Sequence, residues 1–301
     1  MLKQTLSEHA GAVNCIAVLP DIIATGASDG TVNLYSYTTQ WTHVQTLHLV
    51  PLYPLVLALH RTDNGTILAI GGSSPHIHLY TSPADHITFS KGPILKGHED
   101  WIRGIDFTAS ETDIFLATAS QDRYIRLWRI SKSLTTTTTP KDDTDALLTA
   151  ALGGESYSLS LPQQLYTVTF SALLPGHDDW VFSVQFAPDD PETLLSASAD
   201  ASVIVWRPEG REGIWIPGTR LGEVSSLKGG TTAQGSSGGF WGAVWIGGAK
   251  VGCWGKTGGW RVWEEVRGEW VQRVACSGAV RPVKGISWDP KGHFLLAARS
   301  E

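Results

Sequence analysis

The chain has 301 residues, 42% of them hydrophobic and only 17% charged, with 32 glycines, 13 tryptophans and one methionine. Frequent turn formers and few charges exclude a helical bundle and a disordered chain, and point to an all-β fold. The formal net charge of −6 excludes a chain-wide basic footprint for nucleic acid, and Cys15, Cys253 and Cys276 are too scattered for a zinc or redox motif.

In chain order, the start Met1 to Leu6 carries no apolar signal segment. A first repeat unit follows: Glu8-His9, then Thr25 to Asp29-Gly30, then Leu34-Tyr35. The longest apolar run, Val50 to Leu59, is interrupted by Pro51 and Pro54 and is too short to span a bilayer. A soluble protein of a reducing, intracellular compartment is the expectation. A second unit, Leu57-Ala58-Leu59, Thr66 to Gly72 and Ile77 to Tyr80, lacks both the His and the Asp. The third unit is the fullest: Gly97-His98-Glu99-Asp100-Trp101, Thr118, Asp122 and Trp128. Residues 131–164, with the run Thr135 to Thr139, Pro140 and Gly153-Gly154, read as a low-complexity loop insertion. The fourth unit repeats the third: Gly176-His177-Asp178-Asp179-Trp180, Ser196, Asp200 and Trp206. Residues 221–239 read as a Gly/Ser-rich flexible loop. Phe240 to Trp245, Lys250 to Trp254 and Gly259 to Trp263 make a fifth unit, and Val283 to Trp288 with His293 to Ala298 begin a sixth.

The spacing has a mechanical reading. The acid precedes the aromatic by six residues in three units, and Thr25, Thr118 and Ser196 each stand four residues before the acid. In a four-stranded sheet the turn Asp accepts from the His, while the hydroxyl bridges that His to the indole N–H of the next strand. A buried polar chain is stable only when every member is satisfied, so the residues recur as a set. His98, Thr118, Asp122 and Trp128, and likewise His177, Ser196, Asp200 and Trp206, are therefore expected to be structural pins.

The pattern resembles the WD-repeat family, whose units run from Gly-His to Trp-Asp. Here the closing pairs are Trp128-Arg129, Trp206-Arg207 and Tyr35-Ser36. Three places together, Gly97 to Trp101 with Ser120 to Ile130, Gly176 to Trp180, and the stretch from Gly213-Ile214-Trp215 through Arg220 to Ser225, Gly235 to Trp241 and Gly255 to Gly258, narrow the likeness to the Elongator subunit 2 family. That resemblance implies a WD-repeat β-propeller spanning 1–301, incomplete, with about five blades and a partial sixth, as from a truncated product. It also implies a non-catalytic scaffold of the machinery that modifies wobble uridines in transfer RNA. Its partners would be the first and third Elongator subunits, its location the cytoplasm and also the nucleus. No cofactor, direct nucleic-acid contact or membrane association is implied. The alternative is a WD-repeat adaptor of a ubiquitin ligase or signalling complex that reads a peptide motif.

Other motifs read as structure. Gly255-Lys256-Thr257 lacks the first glycine of a phosphate loop, since position 250 is Lys250, and a strand rather than a helix follows. His76 and His78 share a strand face without a third ligand, as a surface pair. Glu99-Asp100 and Asp178-Asp179 sit at equivalent places of two repeats, which favours recognition over acid–base catalysis. Ser, His and Asp recur only as the sheet network, so no hydrolase triad is read from them. Trp101 and Trp180 follow those acids, with Arg103 and Arg123 close by; aromatic and Arg side chains dominate interface energetics. Together with Ser237, Phe240 and Trp241 they are the expected partner-facing residues.

Overall fold

The computed structural model describes residues 4–84, 87–133, 156–210, 213–222, 239–247, 249–255, 259–276, 283–288 and 295–299. Among them regular structure is all β, in sheets that take their strands almost entirely in chain order. The first sheet is β1 (Val13–Val18), β2 (Ile22–Ala27), β3 (Thr31–Tyr37) and β4 (Trp41–His48), and the second is β5 (Pro54–Thr62), β6 (Gly65–Gly72), β7 (Ser74–Pro83) and β8 (Ser90–Leu95). The third holds β9 (Ile102–Ala109), β10 (Asp113–Ser120), β11 (Ile125–Lys132), β12 (Ser156–Leu161) and β13 (Gln164–Leu174), in the order β12-β13-β11-β10-β9. The fourth is β14 (Val181–Ala187), β15 (Asp190–Ser198), β16 (Ser202–Glu209) and β17 (Ile214–Gly222), and the fifth is β18 (Phe240–Trp245), β19 (Lys250–Gly255), β20 (Trp260–Val266) and β21 (Glu269–Cys276). A two-stranded sheet joins β22 (Val283–Trp288) to β23 (Leu295–Arg299). Separate antiparallel meanders of this kind are blades of a β-propeller-type fold.

The chain forms two compact units, Met1–Thr118 with Arg126–Ala172, and Ala119–Ile125 with Leu173–Glu301. In the first unit, Ala24, Val32 and Leu34 of the first sheet pack with Leu57, Leu68 and Ile70 of the second. Ala58, Ile67 and Leu79 of the second sheet pack in turn with Ile102, Ile105 and Leu116 of the third. In the second unit the same logic joins Leu195, Val203 and Val205 to Ala243, Trp245 and Val251. Inner strands between packed sheets are covered on both sides, which is why β2, β6, β10 and β15 are nearly continuous runs of buried residues. The outward face of β1 is different. Ile16 pairs with Thr25 as Leu57 pairs with Ile70, yet Leu57 is buried while Val13, Ile16 and Val18 are exposed.

The reading of 131–164 as a loop needs correction at its ends. Ser131 and Lys132 close β11, and Ser156–Leu161 is the strand β12, paired in register with β13. Its Leu159 and Leu161 join the core of the first unit, and Tyr157 meets the Trp128 ring edge-on at 6.4 Å. Residues 134–155 lie outside the described residues, as do 223–238 of the proposed Gly/Ser-rich loop, whose first two residues end β17.

If β12 is part of the core, Leu159→Ala should destabilise the protein by about 2–5 kcal/mol, the cost of a core Leu truncation. Urea unfolding followed by tryptophan fluorescence measures it. A loss under about 0.5 kcal/mol is what an exposed loop position would give.

Candidate functional site

The polar network is most complete in the fourth sheet. His177 arrives from the segment preceding β14, Ser196 lies on β15, Asp200 in the following turn and Trp206 on β16. His177 Nδ1 lies 2.8 Å from Asp200 Oδ2, and His177 Nε2 lies 2.7 Å from Ser196 Oγ. Trp206 Nε1 donates to Ser196 Oγ at 2.8 Å. Since Asp200 accepts the Nδ1 proton, Nε2 is left as an acceptor for the seryl hydroxyl, whose oxygen in turn accepts the indole N–H. Asp200 also accepts from the Asp178 and Ser202 amides and the Ser202 hydroxyl. Burial opposes ionisation of Asp200, but the hydrogen bond from His177, with these further donors, holds its carboxyl well below the usual range.

The third sheet repeats the core of this arrangement. His98 Nε2 stands 2.9 Å from Thr118 Oγ1, to which Trp128 Nε1 donates at 3.2 Å. Asp122 lies in the turn and accepts from the Tyr124 amide. In the first sheet His9 bridges Thr25 Oγ1 at 2.7 Å and Asp29 Oδ2 at 3.2 Å. There the aromatic is Tyr35, and its phenol donates to Glu8 Oε2 at 2.9 Å.

That difference explains a covariation in the sequence. Gly176 precedes His177, and a Cβ on Gly176 would stand 2.8 Å from Trp206 Cη2. The indole demands glycine there. The smaller phenol leaves room for Glu8 in the equivalent place and supplies it with a donor, which lowers the Glu8 pKa.

Ser196, His177 and Asp200 have the connectivity of a hydrolytic triad, but Ser196 is fully buried and its oxygen is engaged by the indole. No carbonyl substrate can reach it, so the arrangement is structural. Cys15 and Cys253 are held as thiols by burial, both pushed up to about 12. Among the described residues no group of three His, Cys, Asp or Glu is placed to hold a metal ion. Gly255 ends β19 and Trp260 begins β20, so strands flank the Gly-Lys-Thr run, while Lys256, Thr257 and Gly258 lie outside the described residues.

The candidate partner-facing residues divide. Trp101 is 44% exposed and Trp180 45%. Each is set by the same local bond, its own amide donating to the preceding acid, Asp100 or Asp179, at 2.7 Å. Trp180 also meets Phe182 edge-on at 6.3 Å. Arg123 is exposed in a turn with φ of 76°. Arg103 is half-buried on β9, and burial pulls its pKa down. Phe240 corrects the expectation: it is only 4% exposed and packs in the core of the second unit. Gly239, in a left-handed conformation against Ala199, starts the strand so that Phe240 turns inward. Trp241 sits between the two sides of a register shift in β18 and is partly exposed. Ser237 lies outside the described residues.

Several functional partners escaped the sequence reading. Thr31 and Ser202, each two residues after the turn Asp, donate both amide and hydroxyl to it; the shared Asp-x-Thr/Ser spacing was the available signal. Glu8 carried no such signal.

The family pattern described as "WD domain, G-beta repeat" matches residues 1–36, 90–129 and 168–207. Elongator complex protein 2 of Schizosaccharomyces pombe is 38% identical over 98% of this chain and 39% of its own length. The protein of the same name from Saccharomyces cerevisiae is 36% identical over 98% of this chain and 39% of its own length, and that from Homo sapiens 31% over 93% and 34%. The chain carries WD repeats and is related along nearly its whole length to proteins of that name. It spans about two fifths of the length of these relatives.

Ser196→Ala should cost about 1–3 kcal/mol, since it leaves an indole N–H and an imidazole nitrogen unpaired in the interior. Thr25→Ala should cost less, because no indole N–H is stranded there and the Tyr35 phenol keeps its bond to Glu8; urea midpoints of the two variants compare them directly. A carboxyl depressed in the folded state stabilises the protein above its unfolded pKa of about 3.9, and that stabilisation is lost as pH falls through this value towards the folded one. Asp200→Asn should therefore lower the urea midpoint at pH 7 and shrink its further fall between about pH 4 and 2. An acid limb identical to that of the parent chain would contradict the assignment.

Proposed function

We propose that this chain is a non-catalytic scaffold of the Elongator complex, acting through protein–protein contacts. The single observation that carries the reading is its similarity, along nearly the whole chain, to proteins named Elongator complex protein 2. The chemistry of the sheets agrees with it. The titratable constellations are internal pins, whereas aromatic side chains stand exposed on rigid supports at Trp101 and Trp180. A fixed, desolvatable aromatic anchor costs little conformational entropy on binding and suits a hot spot. The partners under this reading are the first and third Elongator subunits, the process served is wobble-uridine modification of transfer RNA, and the compartment is the cytoplasm and the nucleus.

Affinity purification of the tagged protein from its own cells tests this. Recovery of Elongator subunits is the expected result; recovery of a ubiquitin-ligase or signalling complex in their place would overturn it. Trp101→Ala and Trp180→Ala, each at an exposed position, should leave the thermal midpoint within a few degrees while weakening capture of a partner subunit about fivefold or more.

A further inference from the structure

The second sheet has the same frame as the first but has lost the polar network. The correspondence is fixed by hydrogen bonds. Ala12 amide donates to Ser28 Oγ, and Tyr53 amide donates to Ser73 Oγ, both at 2.9 Å. The return bonds, Ser28 amide to the Ala12 carbonyl and Ser73 amide to the Tyr53 carbonyl, match as well. Counting from these anchors, the sequence positions of His9, Asp29 and Thr25 are held by Val50, Ser74 and Ile70, and Val50, instead of filling the place of the imidazole, is exposed. Ser74 keeps only the turn-forming part of the aspartate's role, its Oγ accepting from the His76 amide as Asp29 accepts from the Thr31 amide.

Here the first unit has an open cleft of about 550 Å³, within the range of roughly 300–1,000 Å³ of small-ligand sites. Leu49, Pro51, Leu52 and Ile94 make its apolar wall, and Ser74, His76, His78 and Lys96 supply its polar edge. The charge at this place is inverted relative to the other sheets. Where the first and fourth sheets hold a carboxylate ringed by donors, this cleft holds donors and no carboxylate. His76 Nδ1 lies 3.1 Å from Ser74 Oγ, and Lys96 is exposed at the rim.

We propose that this cleft binds an acidic–aliphatic segment of a partner protein, whose carboxylate takes the place of the missing turn aspartate. The ligand carboxylate accepts from Lys96 and the imidazole N–H groups, and the adjoining aliphatic side chain covers Leu52 and Ile94. Charge-assisted bonds of this kind are about twice as strong as neutral ones, and the apolar wall excludes water around them. Burial, reinforced by the nearby Lys91 and His76, pulls the His78 pKa down, so at neutral pH that imidazole offers one N–H and one acceptor. The site does not depend on the proposed scaffold role, since it rests on the geometry around one sheet.

The test is fluorescence anisotropy on the 301-residue chain with a labelled pentapeptide of alternating leucine and aspartate, beside the same peptide with asparagine. The aspartate peptide should bind saturably and at least about tenfold more tightly than the asparagine one. Lys96→Glu, at an exposed position, should reduce that affinity about tenfold, while the equally exposed Lys132→Glu, outside the cleft, should not. Ile94→Ala should weaken both peptides. Equal binding of the two peptides, indifference to Lys96→Glu, or no saturation below about 1 mM would each overturn the proposal. Loss of Elongator subunits from a purification would not bear on it.

Discussion

One hydroxyl holds each network sheet together. A seryl or threonyl oxygen can donate once and accept twice. Ser196 uses this capacity by giving its proton to the His177 imidazole and accepting the Trp206 indole N–H. Strand register makes the arrangement possible. Ser196 pairs with Ile204, and Trp206 pairs with Leu194, so the indole is a diagonal neighbour of the hydroxyl, within reach of an aromatic side chain. The ten-residue step from hydroxyl to aromatic, the same at Thr25, Thr118 and Ser196, is therefore the length of one hairpin in that register. The His adds the long-range link, tying the segment before a sheet to the turn between its two middle strands.

This economy explains why Ser, His and Asp recur here without forming an open reactive site in the network sheets. Each polar group of the network is consumed by another, and the apolar faces around it exclude water and substrate alike. What remains available stands outside the network, and the two exposed tryptophans show how. An Asp side chain accepts the Trp amide one residue on, fixing the backbone while leaving the ring to solvent. A ring held this way has already lost much of the freedom that any contact would otherwise remove.

Much of the fold was legible because the network imposes a period. The sheets carrying His, hydroxyl, Asp and aromatic could be placed from spacing alone, and their neighbours from alternation. Other features were hidden for physical reasons. The strand Ser156–Leu161 alternates Tyr157, Leu159 and Leu161 with serines, a proper half-buried pattern, but its polar surroundings mask it. Phe240 follows a glycine-rich run, and an aromatic there reads equally well as a surface anchor or a core plug. Only the turn at Gly239 decides that it points inward. The Glu8–Tyr35 bond was invisible because it depends on ring size, which no spacing rule expresses.

The second sheet shows that the network is dispensable for folding. Exchanging a satisfied buried polar set for apolar groups of similar shape is close to neutral in free energy, whereas deleting one member alone is costly. Ile70 in place of the hydroxyl joins Leu57, Leu68 and Tyr80 in the shared core, so this sheet has made the whole exchange and lost little. What it gained is space at one end, where no His descends and no carboxylate stands, and where basic side chains now face an apolar wall. Within a repeated architecture, a sheet that has left the common pattern as a complete set is free to present different chemistry at the same place. The absent aspartate thereby becomes the shape and charge that an incoming carboxylate can fill.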